Sequence, residues 1–208
     1  MRQTHTALLE KHLPVEAVEP FFSLLKEYQV SVRISRERHS KLGDFRPGNG
    51  ILPHLISVNG NLNPYEFLLV ALHELAHADV YKNYGRRVAP HGKEWKLRYG
   101  ALIREAVDRA MFHPSLHPLL YEYSCRVKAG GIADSALVRA LKAFGESQDH
   151  EAWLFLEDVP DAGIFRTRKG RRFVRGEKVR TRVRCLCLQT KRQYLVHSMT
   201  KVRMEEVH

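Results

Sequence analysis

The chain has 208 residues, 44% of them hydrophobic and 27% charged, enough for a domain of ordinary size and a smaller unit beside it. No apolar run approaches the roughly 20 residues that span a bilayer, "MRQTHTALLEKHLPVEAVEP" lacks an apolar signal core, and three cysteines make no disulfide framework; this excludes a membrane or disulfide-stapled class and predicts a soluble, cytoplasmic protein. The formal charge of +11 is concentrated, with fourteen Lys or Arg in residues 166–203 against one acid, Glu177, a density that points to a polyanionic partner such as nucleic acid.

In chain order, the apolar spacing of "THTALLEKHL" and "PVEAVEPFFSLLKEYQ" predicts one or two opening helices. "VSVRISRERHS" alternates Val30, Val32 and Ile34 with polar residues as a half-buried strand does. "KLGDFRPGNG" reads as a loop, and "ILPHLISVNG" as a second strand closed by an Asn59-Gly60 turn. A long helix is predicted from about Pro64 to Tyr84: Asn63 suits its cap, Pro64 its first position, Glu66 a capping box and Gly85 its stop. After "GRRVAP" a second helix runs roughly from Gly92 to Ala110. "FHPSLHPLLYEYSCRVKAGG" is broken by Pro114 and Pro118 and ends in a Gly130-Gly131 hinge. "ADSALVRALKAFG" is a short helix capped by Asp134 or Ser135, and "ESQDHEA" a polar linker. From Trp153 onward, short alternating runs at regular turn spacing predict a small all-β module.

The long helix carries the chemistry. His73 and His77 are four apart, so both imidazoles leave one face and converge on a single cation. Glu74, turned by about 100°, stands beside that cation. This is the H-E-x-x-H arrangement: two zinc ligands and an acid-base for the attacking water. In a chain of this composition the pattern alone arises by chance roughly one time in twenty. Its setting among Leu68, Leu69, Val70, Leu72, Leu75 and Val80 adds the decisive weight, because unpaired polar groups there cost several kcal/mol and a bound metal relieves that cost.

A catalytic zinc takes a third protein ligand and leaves a position open. The extended H-E-x-x-H-x-x-G-x-x-H pattern fails, with Val80 and Asn83 where glycine and histidine belong. Glu94 and Glu105 are candidates from the next helix. His91, between Pro90 and Gly92 at that helix's entrance, is better placed. His113 and His117 sit among prolines and read as loop surface, while His39, His54 and His197 are isolated. Cys185 and Cys187 form a C-x-C with no second pair, so they read as core residues rather than zinc ligands.

"HELAHADVYKNYGRRVAPHGKEW" resembles the SprT-like family, zinc metallopeptidases related to bacterial SprT and to Spartan, the protease that clears DNA-protein crosslinks. The helix with His73, Glu74 and His77, the loop, and the H-G-x-x-W element with His91 carry the resemblance, which extends over roughly residues 20 to 110. It implies His73, His77 and His91 as Zn2+ ligands and Glu74 as the catalytic acid-base. The predicted fold class is α+β: zincin-like helices packed on a small β-sheet, followed by a small basic all-β module. The predicted domains are a SprT-like peptidase domain over 1–130, a short helix and linker over 131–150, and the basic module over 151–208. Many members of the family end in a zinc ribbon; the C-x-C here predicts a metal-free module instead.

These features predict a zinc-dependent endopeptidase acting on nucleic-acid-associated proteins, with nucleic acid bound through 166–203. A nucleic-acid-binding factor with a structural or vestigial zinc site, and a general peptidase with a merely basic surface, are the competing readings. Tyr81, Tyr84, Tyr99 and Arg98 are candidates to assist the oxyanion. "HLISVNG" is the strand expected to pair with substrate through an open edge. Phe165, Phe173 and Tyr194 are available for base stacking or for the module's own core.

Overall fold

The fold is built around one long helix that is buried along most of its length. In the computed structural model, which describes residues 9–38, 40–49, 51–128, 135–144 and 153–205, helix α2 (Pro64–Tyr84) has Phe67, Leu68, Leu69, Ala71, Leu72, Leu75 and Ala76 completely buried. Apolar residues spread around so much of a helix demand partners on several sides. They are a three-stranded sheet and the neighbouring helices α1 (Val18–Glu27), α3 (Lys93–Asp108), α4 (His117–Cys125) and α5 (Ser135–Ala143), which share its core.

The ends of α2 form where the sequence places them. The Asn63 side chain accepts from the backbone N–H groups of Tyr65 and Glu66, Pro64 occupies the first turn, and Gly85 leaves the helix at φ 61°. Asn63 also donates through Nδ2 to the carbonyl of Leu141 at 3.0 Å, which ties the start of α2 to α5. Leu137 and Leu141 of α5 are buried in the same core. The hinge at Gly130-Gly131, the Asp134 cap and the linker "ESQDHEA" lie outside the described residues.

The sheet corrects two expectations. "KLGDFRPGNG" is not all loop: Gly43–Arg46 is strand β2. Strand β3 (His54–Asn59) lies between β1 (Val30–Ser35), which it pairs in parallel, and β2, which it pairs antiparallel. Both edges of β3 are therefore taken; the unpaired outer edges are those of β1 and β2, and of these two strands β2 lines the cleft described below. A four-residue strand with one apolar side chain, Phe45, escapes a pattern search that needs alternation to register. A polar knot holds the approach to β2. The Arg38 guanidinium donates to Asn59 Oδ1 at 2.8 Å and to Ser57 Oγ at 3.2 Å, and Asn59 Nδ2 donates to the carbonyls of Arg38 and Lys41.

The proline-rich stretch is also more helical than expected. Pro114–Leu116 forms a 3-10 turn that His113 caps, and α4 starts at His117 with Pro118 in its first turn, where a missing N–H costs nothing.

The chain divides into two compact units, Met1–Ser147 and Gln148–His208. In the second, β4 (Trp153–Phe155), β5 (Ile164–Thr167), β6 (Arg172–Val179), β7 (Arg182–Cys187), β8 (Gln193–His197) and β9 (Lys201–Met204) make an antiparallel sheet in the order β4-β9-β5-β6-β7-β8. Val183, Cys185 and Cys187 bury one face of β7 while Arg182, Arg184 and Leu186 alternate outward. Cys185 and Cys187 thus belong to this unit's core. No described helix is long and apolar enough to cross a membrane.

Candidate metal centre

Two turns of α2 and one loop residue bring three imidazoles to a point. His73 and His77 project from one face of the helix, and His91 Nε2 lies 3.1 Å from His73 Nε2 and 3.0 Å from His77 Nε2. His91 is reached through the loop that Gly85 starts, and it sits at φ 59°. A left-handed backbone is costly for a residue with a Cβ, and such strain concentrates at functional sites. Here it turns the imidazole of His91 back toward α2 just before α3 begins. Glu94 and Glu105 do not join the cluster; Glu105 pairs with Arg109 at the C-terminal end of α3. Among the described residues, His73, His77 and His91 are the metal-capable group.

Hydrogen bonding does not account for this convergence. A neutral imidazole nitrogen carries either one proton or one lone pair, so His91 Nε2 satisfies at most one of its two neighbours. Burial, and then the charge of the neighbouring histidines, pushes His73 down to about 3 and His77 to about 4; burial also lowers His91. All three rings are therefore neutral at pH 7, the form in which histidine binds metal. Zn–N bonds of about 2.0–2.1 Å in a tetrahedron set nitrogens roughly 3.3 Å apart, close to the two distances seen. The residues present fit a zinc ion.

Trp95 explains the spacing of H-G-x-x-W. One helical turn after His91, its indole centroid is 4.5 Å from His73, 5.2 Å from His77 and 4.6 Å from His91. Its Nε1 donates to the His73 carbonyl at 3.4 Å. At 1% exposure, this side chain is a wall against which all three imidazoles rest.

Glu74 is 6% exposed. Burial, and next the negative charge of Asp44, push its carboxyl up to about 8, against the opposing pull of Arg38 and Lys41. Gly43 lies directly over it: a Cβ added there would stand 2.8 Å from both Glu74 Cδ and Cγ. His73, Glu74 and His77 line a cleft of about 660 Å³ with His91, Tyr99 and residues 40–45. Lys41 and Arg46 both hold Asp44, at 2.6 and 3.1 Å.

Among curated proteins, Protein SprT of Yersinia pestis is 39% identical over 59 residues, which cover 27% of this chain and 34% of that protein. Protein SprT of Escherichia coli O157:H7 is 42% identical over 59 residues, 27% of this chain and 35% of its own length. Protein SprT of Enterobacter sp. (strain 638) reaches 59% over 34 residues, 16% and 20% respectively. Over these short stretches the chain is similar to SprT proteins. The likeness spans about a third of the length of the curated relatives at most. No family model and no solved structure matches the chain.

Within this site the four oxyanion candidates separate. Tyr99 alone of them lines the cleft, but its hydroxyl donates to the Leu69 carbonyl at 3.2 Å. Arg98 pairs with Asp79 at 2.9 Å and covers the Tyr28 ring. Tyr81 packs against Phe45 and His54, and Tyr84 is exposed near the C-terminal end of α2. Sequence reasoning missed Gly43, Asp44, Lys41 and Arg38, which act on Glu74 from β2 and its approach. The one signal available was a glycine flanked by charges ahead of the motif. His54 accepts from the Gly48 N–H, His117 bonds to the Phe112 carbonyl and His197 Nδ1 accepts from the Met199 N–H; His39 lies outside the described residues.

Proposed function

We propose that this SprT-like chain is a zinc-dependent endopeptidase in which His73, His77 and His91 hold Zn2+ and Glu74 is the catalytic acid-base. The supporting observation is the meeting, in one cleft, of three imidazole nitrogens and a buried carboxyl beside the open edge of β2. When bound, zinc supplies a Lewis acid that polarises a carbonyl and brings water to a pKa of about 7.

The chain's own residues supply the remainder. Glu74 takes a proton from the attacking water and delivers it to the leaving amine. Its raised pKa suits a group that must both accept and return a proton near neutrality. Trp95 holds the imidazoles in register. The outer edge of β2 offers backbone N–H and C=O groups to an extended peptide, so recognition reads main chain more than side chains. We read α2, α3 and the three-stranded sheet as a zincin-like arrangement. A purely structural three-histidine site has no use for an acid at position 74, which favours the peptidase over a binding factor with a vestigial site.

A peptidase of weak sequence preference needs restraint by location. We assign that restraint to the basic segment 166–203, with proteins associated with nucleic acid as substrates. The unpaired thiols of Cys125, Cys185 and Cys187 fit a cytoplasmic location. The test is zinc content together with casein cleavage and self-cleavage, for wild type and Glu74→Gln, with and without single-stranded DNA. Zinc in both proteins, with cleavage lost in Glu74→Gln, is expected. Cleavage unchanged by Glu74→Gln would overturn the mechanism; cleavage indifferent to DNA would overturn the restraint.

A further inference from the structure

The sheet of the second unit ends on a strand that its sequence does not blunt. In the order β4-β9-β5-β6-β7-β8, no described strand pairs with the outer side of β8. Edge strands are ordinarily kept from further pairing by charged side chains, proline or a bulge. "QYLVH" contains no proline, lysine, arginine or acid, and its register with β7 runs from Arg182↔His197 to Leu186↔Gln193 without a shift. Leu195, 52% exposed, stands at its middle. The opposite edge strand, β4, is only three residues long.

The ladder decides which backbone groups of β8 are open. The Cys187 N–H donates to the Arg192 carbonyl, and the Ser198 N–H to the Thr181 carbonyl, both at 2.9 Å. Hydrogen-bonded pairs alternate along an antiparallel ladder, so Tyr194 and Val196 bond toward β7, while Gln193, Leu195 and His197 turn their N–H groups to the free side. The carbonyls of Gln193 and Leu195 point the same way; that of His197 accepts from the Thr200 N–H at 2.9 Å. The two faces of β8 also differ. Tyr194 and Val196 lie half-buried against the core, with the Tyr194 ring edge-on to Phe173. On the outer face Leu195 is opposite Arg184 and His197 is opposite Arg182. The hairpin from Arg180 to His197 carries Arg180, Arg182, Arg184, Lys191 and Arg192 and no acid; Glu177 of β6 reaches Arg184 at 3.1 Å.

We propose that the free edge of β8 docks an extended acidic segment of a partner protein, which joins the sheet as a further antiparallel strand. The pairing dictates the segment's pattern. Its residues opposite Gln193, Leu195 and His197 share their outer face, two strands or roughly 10 Å from Arg182 and Arg184, a span that glutamate and arginine side chains close between them. The residues in between cover Tyr194 and Val196 and are therefore apolar. Acid outward and apolar inward, in alternation, is the recognised chemistry. A second copy of this chain fits worse, because edge-to-edge pairing sets the five cations of one hairpin beside the five of the other with no acid in either. Nucleic acid offers no row of peptide groups to continue the ladder. The inference goes beyond the proposed function and depends on neither the zinc site nor the nucleic-acid assignment.

The test uses the full chain carrying Glu74→Gln, so that no cleavage contributes, and a capped peptide of about seven residues in which glutamate and valine alternate. Amide exchange is followed by NMR. Without peptide, the Gln193, Leu195 and His197 amides are expected to exchange fast and those of Tyr194 and Val196 slowly; peptide should slow the first three on the order of tenfold. The peptide's glutamates turn their own N–H groups to β8. N-methylation of the two central glutamates should therefore weaken binding roughly twentyfold, for two lost hydrogen bonds, and N-methylation of two valines should leave it unchanged. Leu195→Pro removes an N–H that faces solvent and costs the ladder no bond; it should weaken binding of the parent peptide on the order of tenfold. A peptide with lysine in place of glutamate should not bind. Binding that survives methylation of the glutamates, or peptide that leaves exchange at Gln193, Leu195 and His197 unchanged, would overturn the proposal. So would the same protection arising without peptide as protein concentration rises, which would put a second copy on the edge, or arising with oligothymidylate, which would put nucleic acid there.

Discussion

Gly43 of β2 lies against the carboxyl group of Glu74, with room for hydrogen but not for a methyl group. An added Cβ would stand 2.8 Å from Glu74 Cδ and Cγ and nearer still to Oε1. Since the far end of a side chain moves more readily than strand backbone, Gly43→Ala should displace the carboxylate and leave the sheet in place. Misplacement of about 1 Å in a catalytic group costs on the order of a hundredfold in rate. Gly43→Ala is therefore expected to lower kcat roughly a hundredfold with zinc content and Tm close to wild type. Unchanged kcat would show that Glu74 tolerates the shift.

Trp95 touches all three imidazoles and bonds to the His73 carbonyl. Groups that orient metal ligands typically govern affinity by ten- to hundredfold. Trp95→Phe keeps an aromatic wall but removes the N–H donor and one ring, and should weaken zinc binding by about tenfold in competition with a chromophoric chelator. His91→Ala removes a ligand and should reduce zinc retention far more. Equal retention in wild type and His91→Ala would exclude His91 from the site.

The pH response of the metal-free protein follows from two opposed groups. His73 and His77 have folded pKa values of about 3 and 4, below the ordinary 6.5. The unfolded chain therefore binds more protons between these values, and stability falls as pH drops below 6.5. Glu74 is raised to about 8 from 4.5; its contribution is fully present below 4.5 and lost as pH rises through 8. Two histidines outweigh one carboxyl below 6.5. Tm of the chelator-treated protein should thus peak near pH 6.5 and decline toward pH 8. Glu74→Gln should abolish the decline above 6.5 and preserve the acid limb, as followed by differential scanning calorimetry. Asp44→Asn, which removes a negative charge near Glu74, should shift the decline to lower pH.

Asn63 makes two kinds of bond. Its carbonyl oxygen caps α2 and its amide reaches the Leu141 carbonyl. Loss of a cap costs about 1 kcal/mol and loss of a further hydrogen bond a similar amount. Asn63→Ala should destabilise the first unit by about 2 kcal/mol in urea unfolding. Asn63→Asp, which keeps the cap and loses the donor, should cost about half as much.

Much of the site was legible because its signals are local. Asn63, Pro64 and Gly85 bound α2 by backbone chemistry that operates within a turn, and the i, i+4 spacing of His73 and His77 carries their shared face in itself. The alternation in "RTRVRCLCL" separates a buried cysteine face from an arginine face in the same way. The strand at Gly43–Arg46 was not legible. Its four residues become a strand only by pairing with β3, and the strand expected to face substrate lies between two others.

The sequence by itself determined the helix, two imidazoles and an acid on it, the third histidine as a candidate, and a basic β module, because each depends on spacing along one element or on composition. Only the tertiary structure decided that His91 closes the cluster, that Trp95 backs it, that Gly43 and Asp44 bear on Glu74, and that β8 forms an edge of the second sheet with Leu195 on its outer face. Those relationships depend on strand register and on a loop turned back through a left-handed residue. Such long-range closure is set by the packing of the whole core, and no local pattern encodes it.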